Sequence, residues 1–381
     1  MMTAMNGLTR RRLLQISAGG VVSVGAMGLL RPALAAGYDR PFTWISPRGT
    51  LEVLDDYAFW VGKKMGYFGD LSFDMQPGPS DGTATVKFVD VGQADMGFPS
   101  PGVFSFALQN GMKLKSVFHE AARDTFSLAF RKGEGVKNIK DIEGKTILLG
   151  SAAWQPIVDP MLAAQGVDIS KITYVEAGWP TWGTALAAGQ GDAALAWEGL
   201  RAEWIGSGLE FEYWLGVKNS PLPANTFVVR AADMEDADKK AFMEQYLKGW
   251  AMGLEFAESN PRAAVQTVFE QFPTLATNIG PALGVTSILQ QMNVFRGDWD
   301  KRQGWGWHDM TSWQTFFDLS AKIAGTTPFV ATEVCSNDLI PGANAFDAAK
   351  VKTDAAAAEL TPEMAAIDVD MIRAAMFDQS I

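Results

Sequence analysis

The sequence predicts an α/β protein of two lobes, each a mixed, mainly parallel sheet flanked by helices, with a hinge between them. Three observations carry this expectation. Short apolar runs alternate with helical stretches, the alternation restarts beyond Lys132, and past Val229 the chain turns almost wholly helical. Strands alternating with helices of about ten to fifteen residues imply βαβ units and parallel pairing.

The elements follow in order. Phe42-Thr43-Trp44-Ile45 reads as a strand, and a helix through Tyr57, Trp60, Val61 and Met65 stops at Gly66. Leu71 to Met75 alternates as a strand until Pro77-Gly78-Pro79 breaks it. A helix from Thr83 to Val89 precedes the apolar run Met96-Gly97-Phe98. After the polar break Gly133-Glu134-Gly135, Thr146 to Leu149 opens a second series. It continues through a helix with Ile157, Met161 and Leu162, the strand Ile172 to Val175, a helix ended by Gly189, and the strands Ala193 to Trp197 and Thr226 to Val229. Asp233 to Glu258 is helical, Asn260-Pro261 caps a further helix, and Met310 to Ile323 is amphipathic.

This order predicts residues 37–130 plus 230–345 as a discontinuous first lobe and 131–229 as the second. Crossings near Phe130-Arg131 and Val229-Arg230 would form the hinge, and residues 346–381 a surface extension of short helices. A ligand cleft is expected between the lobes, outside the carboxyl ends of the strands.

The N-terminus reads as an address. Thr9-Arg10-Arg11-Arg12-Leu13-Leu14 precedes an uncharged stretch to Leu30 that glycines dilute, and Ala33-Leu34-Ala35-Ala36 supplies small residues for cleavage. Residues 1–36 are therefore expected to be a removable signal peptide of the twin-arginine translocation route, delivering the chain to a periplasm. The one cysteine, Cys335, lies far from that site, so no lipid anchor and no intramolecular disulfide are expected.

The chain carries 32 basic and 43 acidic residues, and the four arginines of the signal leave 28 against 43, or −15. Such a surface repels phosphate backbones, so nucleic acid is not an expected partner. His119 and His308 are the only histidines, and no metal-ligand spacing, Ser-x-x-Lys, Gly-x-Ser-x-Gly or phosphate-cradling loop occurs. The expectation is a monomer without enzymatic activity, metal or cofactor.

Several segments carry a family likeness. Val136 to Ile147, with its Asp141-Ile142-Glu143-Gly144-Lys145 turn, and Gly189-Gln190-Gly191-Asp192-Ala193 resemble landmarks of the second lobe of type II periplasmic solute-binding proteins. Lys64-Met65-Gly66-Tyr67-Phe68 and Gly92-Gln93-Ala94-Asp95 are similar to the matching landmarks of the first lobe. Ser336-Asn337-Asp338-Leu339-Ile340 looks like the C-terminal mark of the subgroup that includes sulfonate-, nitrate- and thiamine-pyrimidine-binding proteins. The resemblance spans roughly residues 41 to 345 and implies the substrate-binding component of an ABC transporter. Such a protein captures a small organic solute, here aromatic, sulfonate or pyrimidine-like, and delivers it to a permease in the inner membrane. The same fold also carries enzymes and chemosensory ligand-binders, which form the alternative. Asp95 and Asp192 are read as structural.

In this family ligands touch loops after strands and the helix starts that follow. That geometry nominates Trp44, Arg48, Ser80, Ser100, Ser151, Trp154, Trp179, Trp197 and Glu198 as ligand-binding residues. Flat indoles suit aromatic or quaternary-ammonium groups. Arg48 offers a bidentate partner for a carboxylate or sulfonate, and Glu198 an acceptor for an amine or ring N–H. The bland role of each serine is helix capping, and that of each tryptophan is core packing.

Overall fold

The computed structural model describes residues 40–79, 83–134 and 136–381. The export segment and Ser80 lie outside the described residues. Two five-stranded sheets form the frame. The first series runs β1 (Phe42–Ile45), α1 (Tyr57–Lys64), β2 (Phe73–Gln76), α2 (Ala84–Asp90), β3 (Met96–Gly97), α3 (Pro101–Gln109) and β4 (Leu114–Phe118). The second runs β5 (Phe126–Arg131), β6 (Thr146–Leu149), α4 (Gln155–Ala164), β7 (Thr173–Glu176), α5 (Trp182–Ala187), β8 (Ala193–Trp197), α6 (Leu200–Gly206) and β9 (Phe211–Leu215). After α7 (Gly216–Asn219), β10 (Phe227–Arg230) returns to the first sheet.

The two sheets share one plan, β2-β1-β3-β10-β4 and β7-β6-β8-β5-β9. β1 runs parallel to β2 and β3, and β6 runs parallel to β7 and β8. Each sheet is then completed by an antiparallel strand: β10 between β3 and β4, and β5 between β8 and β9. The Gly-Gln-x-Asp landmarks do the same work in both. Asp95 accepts from the Thr43 N–H at 2.9 Å and Asp192 from the Thr146 N–H at 2.8 Å, each fixing the middle strand of its parallel trio.

The crossings differ from the sequence expectation. β5 pairs along its whole length within the second sheet, so the chain changes sheets between Phe118 and Phe126 rather than near Phe130-Arg131. It returns between Leu215 and Phe227, ahead of Val229-Arg230. The physical reason is that Phe126 to Phe130 is buried on both faces, which only a central strand can satisfy. The two crossing segments bond to each other, with Ala121 N–H donating to Asn225 O at 3.1 Å and Ala224 N–H to Ala121 O at 3.2 Å.

The remaining chain is helical: α8 (Ala237–Ser259), α9 (Pro261–Gln271), α10 (Pro273–Arg296, broken at Gly280), α11 (Met310–Ala324), α12 (Ala331–Val334), α13 (Ile340–Ala343), α14 (Ala348–Ala356), α15 (Pro362–Ala365) and α16 (Val369–Ala374). α8 lies against α1 so closely that a Cβ on Gly253 would stand 2.0 Å from the Ala58 carbonyl oxygen. α10 packs on α9 and also on α6, so the returning helices bind the second sheet's flank as well as the first's. The C-terminal segment is not merely a surface extension. Val351 and Ala355 of α14 are fully buried, and the chain end pairs with β9 through Tyr213 N–H to Gln379 O and Ile381 N–H to Tyr213 O, each 2.9 Å. That pairing covers an otherwise open sheet edge.

One contact spans the cleft directly. A Cβ on Gly102 in α3 would stand 2.2 Å from the Pro156 carbonyl oxygen in α4. Gly102→Leu is therefore expected to hold the two sheets apart. Small-angle scattering should report a larger radius of gyration for the variant, while far-ultraviolet circular dichroism stays that of the parent.

Candidate functional site

The parallel strands of both sheets end on one cleft. β1 leads into Ser46-Pro47-Arg48, β3 into Phe98-Pro99-Ser100, β6 towards Trp154, and β8 ends at Trp197 with Glu198 next in the chain. Open α/β sheets leave side chains and helix starts free at this end, where no strand continues to cover them. The cleft encloses about 730 Å³ of empty space, part of it open to solvent. Its walls take Arg48, Asp55, Phe98, Ser100 and Val103 from the first series and Trp154, Ile157, Leu195, Trp197 and Glu198 from the second. The crossings add Ala121, Thr125, Phe126 and Asn225, and α10 adds Gln291 and Phe295.

Of the nominated residues, Arg48, Ser100, Trp154, Trp197 and Glu198 line this cavity. Trp44 does not. It is fully buried among Phe98, Phe227 and Trp250, because β1 is central and both its faces are covered. Ser151 takes the bland role, its Oγ accepting from the Ala153 N–H at 3.3 Å to cap a short helical turn. Ser100 does both, lining the cavity while its Oγ accepts from the Val103 N–H at 3.3 Å. Trp179 stands one layer back, stacked on Trp197 at 5.9 Å and 8° and on Trp182 at 4.9 Å. Trp154 meets Trp179, Trp182 and Trp197 edge-on at 6.0, 5.7 and 5.9 Å. Four indoles thus form one block, with Trp182 in the core and Trp154 and Trp197 on the cleft.

Charged groups adjoin that block. Arg48 pairs with Asp55 at 3.2 Å and with Asp56 at 2.5 Å. Burial works against its charge, yet Asp56 and Asp55 hold its pKa above the ordinary arginine value. Asp55 is pushed up to about 6 by burial, despite Arg48, and accepts from the Trp197 indole N–H. Glu198 and Arg201 form a buried pair at 2.8 Å, and burial still raises the Glu198 carboxyl. Arg201 also donates to the Met376 carbonyl at 3.2 Å, which links this pair to the C-terminal segment. Behind them, burial and the charge of Asp55 push Glu203 up to about 8. Burial also raises Glu120 well above the carboxylate range, although the Trp250 indole donates to it. Arg123, at the first crossing, lies outside the cleft in an exposed pair with Asp298.

Sequence reasoning missed Asn225, Phe126, Gln291 and Phe295. The one signal was Gln290-Gln291 on the buried face of α10, two amides amid Ile288, Leu289 and Met292. Gln290 Oε1 accepts from the Gly199 N–H at 3.1 Å, which fixes the turn after Glu198.

Away from the cleft, Ser116 Oγ lies 2.6 Å from His308 Nε2, and His308 Nδ1 lies 2.9 Å from Asn337 Oδ1. The chain resembles a nucleophile, base and orienter, but Ser116 is fully buried and lines no part of the cleft. Asn337, in the C-terminal landmark, positions His308 in the core, and burial lowers the His308 pKa to about 3. Among the described residues no group of three His, Cys, Asp or Glu is arranged to hold a metal ion.

These shifts give stability a sign. Asp124, at the first crossing, is pushed up to about 7 by burial against help from Ser220 and the Phe126 N–H. Asp55, Asp124 and Glu203 have raised folded pKa values, so their contribution is full near pH 4 and lost as pH rises through 6, 7 and 8. His119 and His308 are lowered by burial and act oppositely, but only below about pH 6.5. Between pH 7 and 9 the melting temperature should therefore fall, by roughly 2–4 °C. Glu203→Gln should remove most of that slope in a thermal-shift titration.

Comparisons with known proteins agree with this geometry. A family profile described as NMT1/THI5 like matches residues 56–264, more than half of the chain. No curated protein sequence matches. Among solved structures, the alkanesulfonate-binding protein SsuA from Xanthomonas axonopodis pv. citri, bound to MOPS, superposes with a TM-score of 0.59 at 14% identity, covering 79% of this chain and 99% of that one. A ligand-binding component of an ABC-type import system from Staphylococcus aureus gives 0.57 at 12% identity, covering 80% and 98%. A Candida albicans protein described as having the generic periplasmic binding protein fold gives 0.54 at 10% identity, covering 78% and 96%. The chain has that two-lobed fold.

Proposed function

The chain belongs to the NMT1/THI5-like family, and we propose that it is the substrate-binding component of an ABC importer, closing two lobes on a small organic solute. The observation that carries this reading is the cavity where the carboxyl ends of both sheets meet, walled by Arg48 and Asp55 from the first series and by Trp154, Trp197 and Glu198 from the second. A concave, mainly apolar site with few polar groups is the usual form of a small-molecule pocket. The Xanthomonas protein binds an alkanesulfonate, and the Staphylococcus protein is the ligand-binding component of an import system. Arg48, Ser100, Trp154, Trp197 and Glu198 would contact the solute, and the partner would be a permease that reads the closed form.

An enzymatic reading would have to use either the cleft carboxylates or the Ser116–His308–Asn337 chain. The latter is sealed in the core. Capture without conversion is the simpler use of a site whose ionisable groups are already engaged with one another.

Binding is tested on the purified chain. A true ligand should quench tryptophan fluorescence and raise the melting temperature, by about 2.7 kcal/mol of stabilisation at a hundredfold excess over Kd. Trp154→Ala should weaken binding at least tenfold with little loss of fold, since Trp154 lies at the open side of the indole block. Steady appearance of product by mass spectrometry would overturn the receptor reading.

Export is part of the same proposal. The twin arginines Arg10 and Arg11 ahead of an uncharged stretch would direct a folded chain to the periplasm, with cleavage after Ala35 or Ala36 releasing it unanchored. Exchanging both for lysine should leave the protein in the cytoplasmic fraction at its uncleaved length.

A further inference from the structure

Resting on the receptor reading above, the cleft geometry points to an organic cation with a flat apolar body as the ligand class, and we propose that Asp55 and Glu198 recognise its charge. Each wall of the cavity contributes a separate reason.

The positive groups are already engaged. Among the described residues Arg48 is the only cationic side chain on the cavity wall, and it is held by Asp55 at 3.2 Å and Asp56 at 2.5 Å. Arg201, behind the wall, is held by Glu198 at 2.8 Å. Two cations thus face three carboxylates, which leaves one negative charge over in a buried setting. An anionic solute would bring a second unbalanced charge beside Asp55 and Glu198, at short range and low dielectric. A monocation would balance the set.

The hydrogen-bond account has the same sign. Glu198 is almost fully buried, lines the cavity, and leaves its Oε1 without a partner among the described residues. Asn225 Oδ1 and Gln291 Oε1, also on the wall, are two further buried acceptors without a partner among the described residues. An acceptor-rich site calls for a ligand that donates, as ammonium, amidinium and aminopyrimidinium groups do.

The helix starts at the cleft offer an anion little. Pro101 opens α3 and Pro156 stands in the first turn of α4, so each helix has lost one of its free N–H groups. Ser100 Oγ takes the Val103 N–H as well. The indole faces of Trp154 and Trp197 complete the case, because an aromatic ring attracts a cation over its face. Trp197 also ties that surface to the carboxylates, through its N–H to Asp55.

Three matched probes test the assignment by calorimetry on the purified chain: benzamidinium, neutral benzamide and benzenesulfonate. Benzamidinium should bind at least about tenfold more tightly than benzamide, with benzenesulfonate weakest. Asp55→Asn leaves Arg48 with Asp56 and should cost benzamidinium about tenfold while shifting benzamide less than twofold. Glu198→Gln should do the same. If either variant misfolds, the parent decides the matter through pH: benzamidinium affinity should rise between pH 5 and 7 as Asp55 ionises, and benzamide affinity should not. Asp55 faces Arg48, Asp56, Glu203 and the Trp197 N–H, so Glu203→Gln should keep that rise. Equal or tighter binding of benzamide or benzenesulfonate overturns the proposal and leaves the receptor reading standing. Silence from all three also overturns it, and the receptor reading falls too only if a parallel thermal-shift screen of neutral and anionic solutes finds no ligand.

Discussion

Arg48 lies between Asp55 and Asp56 in a place almost without water, and much of the cleft is arranged around that contact. A guanidinium removed from solvent needs partners with good geometry, or its desolvation is not recovered. The loop after β1 supplies the cation, and the segment entering α1 supplies both carboxylates. Closing the triad therefore fixes the first wall of the cavity before any ligand arrives. Asp55 then reaches Trp197 of the opposite series, so the same cluster joins the two sheets. Glu203 lies close enough for the Asp55 charge to raise its pKa, and Glu120 feels the same field. The cleft is electrostatically one object, built from both lobes.

The frame around it is a duplication of plan with an exchange of strands. Each parallel trio is finished by an antiparallel strand delivered by a crossing, β5 in one direction and β10 in the other. The crossings bond to each other through Ala121, Ala224 and Asn225, and Asn225 also faces the cavity. The crossings and the cavity thus share residues. α10 reaches from α9 to α6, the chain end pairs with β9, and α4 packs on both α3 and α11, so the two series also meet outside the crossings. The link from Met376 through Arg201 to Glu198 runs from the C-terminal segment straight into the cleft.

Much of the fold was legible in the chain. Short apolar runs such as Phe42 to Ile45 and Thr146 to Leu149, the glycine stops after α1 and α5, and the paired Gly-Gln-x-Asp segments announced two similar α/β series. β4, β5 and β9 were not announced, because an antiparallel strand that completes a distant sheet carries no local mark of its partner. The crossings were misjudged for the same reason. Among the site residues, Trp154, Trp197, Arg48, Ser100 and Glu198 followed from their position after strands. Trp44 sits within a strand at the centre of its sheet, where a large ring fills the core.

By itself, then, the sequence determined what is local and periodic: the alternation of elements, the acidic balance, and which loops follow which strands. Those depend on neighbours along the chain. Tertiary structure alone decided what depends on neighbours in space. It showed that Arg48 is already paired and that Gln291 and Phe295, from a helix nearly a hundred residues beyond β8, close the cavity. It also showed the chain end reaching β9. Burial and charge balance are sums over groups far apart in sequence, and only the folded chain brings them together.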